Sequence, residues 1–183
     1  MACSQTLKNE TFDCLGNAGG VKEIFVCNAG LSAVAASFAT NAANNTFAAT
    51  ATPLTTGTLF RYAMPRGAAS FGTTAVINRE TGANYFDNTL AVALNKLTDD
   101  GVKAVLLKAF ALGAFTVFVR DNNDVVHLMG FTGEGAMATD GSSTTGAALT
   151  DRNGENITLV ASEAQPAWTA AWSSVASAIL AGV

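Results

Sequence analysis

The sequence predicts a mainly β, α+β fold: a β-sandwich or half-barrel with one flanking α-helix and a long projecting mid-chain hairpin. Three observations carry this. Short runs with apolar residues at every second position recur along the 183 residues, bounded by clusters of Gly, Asn, Asp and Pro. Only one stretch, ending at Gly113, keeps apolar residues at helical spacing for several turns. Charged residues make up 13% of the chain against 49% apolar, so the surface must consist largely of Thr, Ser, Asn, Ala and Gly, a composition suited to faces packed against copies of the same chain.

Residues 21 to 27, Val-Lys-Glu-Ile-Phe-Val-Cys, read as a first strand behind the Gly-rich segment from Gly16 to Gly20. Leu31 to Phe60 holds no charged residue and is dominated by Ala, which suits helix, and Thr, which suits strand. The spacing of Val34 and Phe38, then Phe47, Ala49 and Ala51, around Asn41, Asn44 and Asn45 favours short strands. Phe60, Tyr62 and Met64 then alternate with Arg61 and Ala63 up to a break at Pro65-Arg66-Gly67. Ala75 to Asn78 alternates again, Arg79-Glu80-Thr81-Gly82 offers a tight turn, and Leu90, Val92 and Leu94 lead at period two toward Leu97. Two extended arms around the Gly/Pro break predict a projecting hairpin inserted over about residues 51–87.

Thr98-Asp99-Asp100 supplies an N-cap and acidic first turn for a helix in which Val102, Val105, Leu106, Ala109 and Phe110 share a stripe and Gly113 is the stop. Phe115 to Arg120 and Val125 to Met129 flank Asp121-Asn122-Asn123-Asp124 as a hairpin. After a polar Gly-rich passage from Gly133 to Gly146, Asp151-Arg152-Asn153-Gly154-Glu155 predicts a second hairpin tip between Ala147–Thr150 and Asn156–Ser162. The tail forms a C-terminal arm over about 164–183, as a short helix or an extended segment. The whole, 1–183, reads as a single domain, without internal repeats.

Several function classes are disfavoured. A net charge of -4 argues against wrapping nucleic acid, since phosphate neutralisation needs clustered Lys and Arg, although it suits a surface past which DNA slides. Cys3, Cys14 and Cys27 match no zinc spacing, so free thiols are expected, with a Cys3–Cys14 link or a weak metal site as alternatives. The first fourteen residues carry neither a basic n-region nor an apolar core, so no secretion signal is expected, and no apolar run reaches membrane-spanning length. His127, the only histidine, sits in Val-Val-His-Leu-Met without a nucleophile motif such as G-x-S-x-G. The pairs Asp99 with Asp100 and Asp121 with Asp124 fall where caps and turns want acids. Asp140-Gly-Ser-Ser lacks the alternating acids of a calcium loop, and no Gly-rich passage matches a phosphate-binding loop. No catalytic residue, metal or cofactor is expected.

The order of these elements resembles the tail tube proteins of tailed bacteriophages, most closely those of crAss-like and related Bacteroidetes phages. The resemblance lies in Cys14-Leu-Gly-Asn-Ala-Gly-Gly-Val-Lys-Glu-Ile-Phe-Val, the hairpin running into Asn84-Tyr-Phe-Asp-Asn-Thr-Leu, the single helix, the Arg120-Asp-Asn-Asn-Asp turn and Gly146 to Glu163, roughly residues 14 to 165. It implies six copies closing into a ring whose inner sheets form a β-barrel around a lumen, rings stacked into a tube, and the long hairpin reaching the next ring. DNA would pass through without specific binding.

Charge partition fits on its own account. Residues 51 to 87 hold Arg61, Arg66 and Arg79 against Glu80 and Asp87, a net of +1, while the rest carries 7 basic and 12 acidic residues. A slightly basic arm meeting an acidic body places Arg61, Arg66 and Arg79 in subunit contacts, with Phe60, Tyr62, Met64 and Phe71 as apolar anchors and Trp168 and Trp172 docking the terminal arm on a neighbour. The expected protein is a non-enzymatic virion structural protein, a tail tube subunit in the virion tail, assembled in the bacterial host cytoplasm. Its expected partners are itself, as a homohexamer, and other tail or connector proteins, with no membrane. Two rivals remain: a head decoration, head-fibre or connector protein, and a small β-barrel binding module.

Overall fold

The computed structural model describes residues 18–80, 82–95 and 108–183. The fold is mainly β, of the α+β type. Among the described residues the strands are β1 (Val21–Asn28), β2 (Phe38–Asn41), β3 (Thr46–Ala49), β4 (Phe60–Ala63), β5 (Ala69–Asn78), β6 (Ala83–Asn95), β7 (Ala114–Asp121), β8 (Val125–Met129), β9 (Ala136–Thr144), β10 (Gly154–Glu163) and β11 (Trp168–Ala171). A short helix, Ser32–Ser37, precedes β2, and a C-terminal helix, Trp172–Ala181, follows β11.

The sheet branches at β7. One edge of β7 pairs antiparallel with β1, which in turn carries β4. The other edge pairs with β8 from Val117 to Arg120 and with β9 at Ala114 and Phe115. One wing therefore runs β8–β11–β3–β2 and the other β9–β10–β6–β5. Strands β2 and β5 end the path without meeting, so no closed barrel exists among the described residues. Closure needs the two end strands to hydrogen-bond each other; the single chain is an open sheet, and the barrel that the resemblance implies is one made by several copies.

Burial explains why the centre reads as unbroken apolar sequence. In β1, Ile24 and Val26 face one cluster with Val117, Val119, Leu90, Val92 and Leu159, while Phe25 and Cys27 face a second with Phe118, Leu128, Val175 and Ile179. A strand covered on both faces has no polar phase to show. The outer wing is covered on one face only and alternates cleanly: Asn88, Leu90 and Val92 of β6 and Ile157, Leu159 and Ala161 of β10 are buried, and the residues between them are not.

Several expectations need correction. The Pro65-Arg66-Gly67 break does not join two arms of a hairpin, because β4 pairs with β1 while β5 pairs with β6. The long hairpin is β5–β6, paired from Ala69 opposite Val92 to Asn78 opposite Ala83, not an arm over 51–87. The polar passage after Gly133 contains β9, and the partner of β10 is this strand rather than Ala147–Thr150. Of the two forms expected for the tail, the short helix is present over Trp172–Ala181, preceded by β11, which pairs with β8, and it inserts Val175 and Ile179, both 0% exposed, into the second cluster. Burying two such side chains stabilises the docking by about 1.5–3 kcal/mol each. Of the helix expected from Thr98 to Gly113, residues 108–112 are helical and 98–107 lie outside the described residues, as do Cys3, Cys14, Asp99 and Asp100. The uncharged block gives a short helix and then two short strands, so the strand expectation holds at Phe38, Phe47 and Ala49 but not at Val34 or Ala51.

Candidate functional site

The outer wing offers two sheet edges without a partner strand among the described residues. β5 ends the sheet, so along ten residues, Ala-Ser-Phe-Gly-Thr-Thr-Ala-Val-Ile-Asn, one edge of its backbone meets no described strand. Beyond Met137, β9 pairs among the described residues only with β10, leaving a second open edge over residues 138–144. Open edges are ordinarily protected by Lys, Pro or bulges that turn them away. Neither stretch contains Lys, Arg or Pro.

The solvent face of the same wing is smooth and faintly acidic. Register puts Asp87, Thr89 and Ala91 of β6 beside Ser162, Val160 and Thr158 of β10, with Asp140 of β9 opposite Thr158. No Lys or Arg lies on the strands of this wing. Asp87 is held in place by a hydrogen bond from the Ser162 hydroxyl, 2.5 Å.

Behind this wing, a buried polar cluster that the sequence did not flag ties the hairpin to the body. Asn88, 0% exposed, donates through Nδ2 to Glu163 Oε2 (2.8 Å) and accepts from the Thr73 hydroxyl (2.7 Å) and the Ala167 amide (3.0 Å). Glu163 Oε1 accepts from the amide and hydroxyl of Thr132. These bonds pair the Asn88 amide group and both Glu163 oxygens, which ties β5, β6, β10 and the segment before β11 together.

Ionic contacts concentrate at the other end of β1. Glu23, buried, accepts from Arg61 Nε at 2.6 Å and from Arg120 Nη1, and Arg120 also reaches Asp124 at 2.6 Å. The Arg120 guanidinium lies 4.1 Å from the Trp172 ring centroid, and Trp172 stacks on Phe25 at 5.8 Å. The hydrogen bond from Arg120, with the charges of Arg120 and Lys22, holds the exposed Asp124 carboxyl below its ordinary range. Asp121 orders the β7–β8 turn, its Oδ1 accepting from the amides of Asn123 and Val125.

The expected contact residues separate into three groups. Met64 and Trp168 are buried in the chain's own core, and the half-buried Trp172 packs against Phe25 and Arg120, so both tryptophans make contacts within the chain. Arg61 is committed to Glu23, Tyr62 leans on the first cluster, where burial raises its hydroxyl pKa, and Phe71 stacks on His127 at 5.0 Å. Phe60, 60% exposed, and the exposed Arg66 and Arg79 remain open, on β4, in the β4–β5 turn and at the hairpin turn. The structure does not gather these three into one site.

His127 lines a cleft of about 500 Å³ with Phe71, Asp121, Asn45 and the Gly19-Gly20 backbone. Its Nε2 lies 3.4 Å from Asp121 Oδ2. Burial pushes the Cys27 thiol up to about 11, which leaves it protonated and unreactive. Among the described residues no three His, Cys, Asp or Glu side chains converge as a metal site, and no helix is long and apolar enough to cross a membrane. Comparison with protein families, with curated proteins and with solved structures finds no match for this chain.

Proposed function

We propose that this chain is a virion structural protein, a tail tube subunit that assembles with copies of itself into stacked rings through which DNA passes. The observation that carries the reading is the outer wing: four strands whose two outermost edges are both open among the described residues and carry no Lys, Arg or Pro. A sheet with one such edge on each side can pair edge to edge with the next copy, and repetition around an axis closes a ring that leaves no edge exposed. The barrel missing from one chain is then formed by several. The number six comes from the resemblance to tail tube proteins.

The solvent face of that wing suits a lumen. With Asp87 and Asp140 and no Lys or Arg, it offers a phosphate backbone nothing to bind, so DNA moves past without being held. Scarcity of charge elsewhere fits a protein that buries much of its exterior on assembly. Partners would be further copies and the tail or connector proteins that end the tube, in a virion assembled in the host cytoplasm. The test is negative-stain imaging of the purified protein at rising concentration. Annular or tubular particles with an opening of about duplex width support the reading; trimers favour a head-decoration role, and a monomer at every concentration sinks it.

A further inference from the structure

The tip of the β5–β6 hairpin stands alone. Pairing between β6 and β10 stops at Phe86 opposite Glu163, so residues 76–78 and 83–85 form a ribbon of two strands without a third. Such ribbons are marginally stable by themselves. The tip bears Ile77, 66% exposed, and Tyr85, and its turn begins with Arg79, which makes no ion pair among the described residues.

The cleft around His127 has the complementary chemistry. Phe71 and His127 stack to form an aromatic wall, Asp121 presents its second carboxylate oxygen beside them, and the side-chain oxygen of Asn45 is buried without a partner among the described residues. Among the described residues no Lys or Arg lines it. A guanidinium is the group that combines stacking on an aromatic face with donation to a carboxylate and an amide oxygen.

A chain cannot fill its own cleft in this way. The cleft is lined by Ser70 to Thr73 at the base of the hairpin, and Arg79 lies six residues further along a straight strand, about 20 Å away at ~3.3 Å per residue. We infer that the hairpin tip of one copy docks through Arg79 into the Phe71–His127–Asp121 cleft of a second copy. This rests on the self-assembly proposed above and names where the hairpin goes. The contact is head-to-tail, so every copy both offers a tip and receives one, and the interaction propagates.

Sedimentation velocity over a concentration series tests it with Arg79→Glu, with Ala18→Lys, which sets a cation at an exposed position lining the cleft, and with the two combined. Each single change should raise the concentration of half-assembly at least tenfold, and the double variant should return to within about threefold of wild type, because the new pair is again of opposite sign. Single variants that assemble like wild type overturn the tip-to-cleft contact while self-assembly stands. Weakened singles without recovery in the double variant overturn the pairing. A wild-type chain that never assembles removes both.

Discussion

Replacing Glu23 by Ala is the sharpest test of how the centre of this fold is held. Glu23 is 4% exposed and bonds two guanidinium groups, of which Arg120 is 12% exposed and Arg61 half exposed. Removing one member of a buried ion pair costs about 3–5 kcal/mol, because the remaining charge stays desolvated. Two features lower that figure: Arg120 keeps Asp124 and the Trp172 ring, and Arg61, largely in water, contributes no more than about 1 kcal/mol. The expected loss is therefore about 2–4 kcal/mol. At about 2–4 °C per kcal/mol for a chain of this size, the Tm falls by about 5–15 °C. Thermal and urea denaturation followed by circular dichroism measure it, with the urea m value unchanged. Arg61→Ala is the control and should lose no more than about 1 kcal/mol. A Glu23→Ala protein within about 0.5 kcal/mol of wild type, or an Arg61→Ala protein equally damaged, would refute the reasoning.

Ile179→Ala empties a fully buried site between the C-terminal helix and β-sheet and should cost about 2–5 kcal/mol by the same assay. Native Cys27 should resist thiol reagents at pH 8 and react once unfolded; because burial raises its pKa, the stability it contributes is complete below the unfolded thiol pKa and fades from about pH 9 to pH 11. Asp124 shifts the opposite way: its carboxyl, held low by Arg120, adds stability above the ordinary carboxylate range that is lost as pH falls through the folded value. Asp124→Asn, which tolerates the positive φ of 59°, should flatten the acid limb of a stability-against-pH curve. Gly154→Ala should destabilise strongly or prevent β6–β10 pairing, since its Cβ would sit 2.1 Å from the Leu94 carbonyl oxygen; native-like denaturation would contradict this close approach.

Strands with one covered face were legible because their period survives in the sequence, as β6 shows from Asn88 to Leu94. The β7–β8 hairpin was legible from its turn chemistry, with Asp121 accepting from two amides of the turn. β9 was hidden because only Ala136 in it is buried; pairing with β10, not an apolar face, makes it a strand. Asn153-Gly154 suggested a two-residue turn, whereas Gly154 opens β10 and is required by the nearby Leu94 backbone. The tail's two expected forms both occur: Trp168 lies in a strand and Trp172 begins the helix. At the candidate site, the three arginines singled out for subunit contacts include the exposed Arg66 and Arg79, whereas the open edges were not legible, since an edge is defined by pairings made elsewhere. Asn88 carried one signal, its phase with Leu90 and Val92, but its partner Glu163 lies 75 residues away.

Amide hydrogen exchange along β5 tests most directly whether a second copy completes this sheet. Half of the β5 amides point away from β6 and meet no strand among the described residues. In assembled protein those amides should slow by at least about a hundredfold relative to dilute monomer, the scale of an opening free energy of roughly 3 kcal/mol. Identical exchange of β5 in monomer and assembly would show that the edge stays open, and the account of ring closure through it would be wrong.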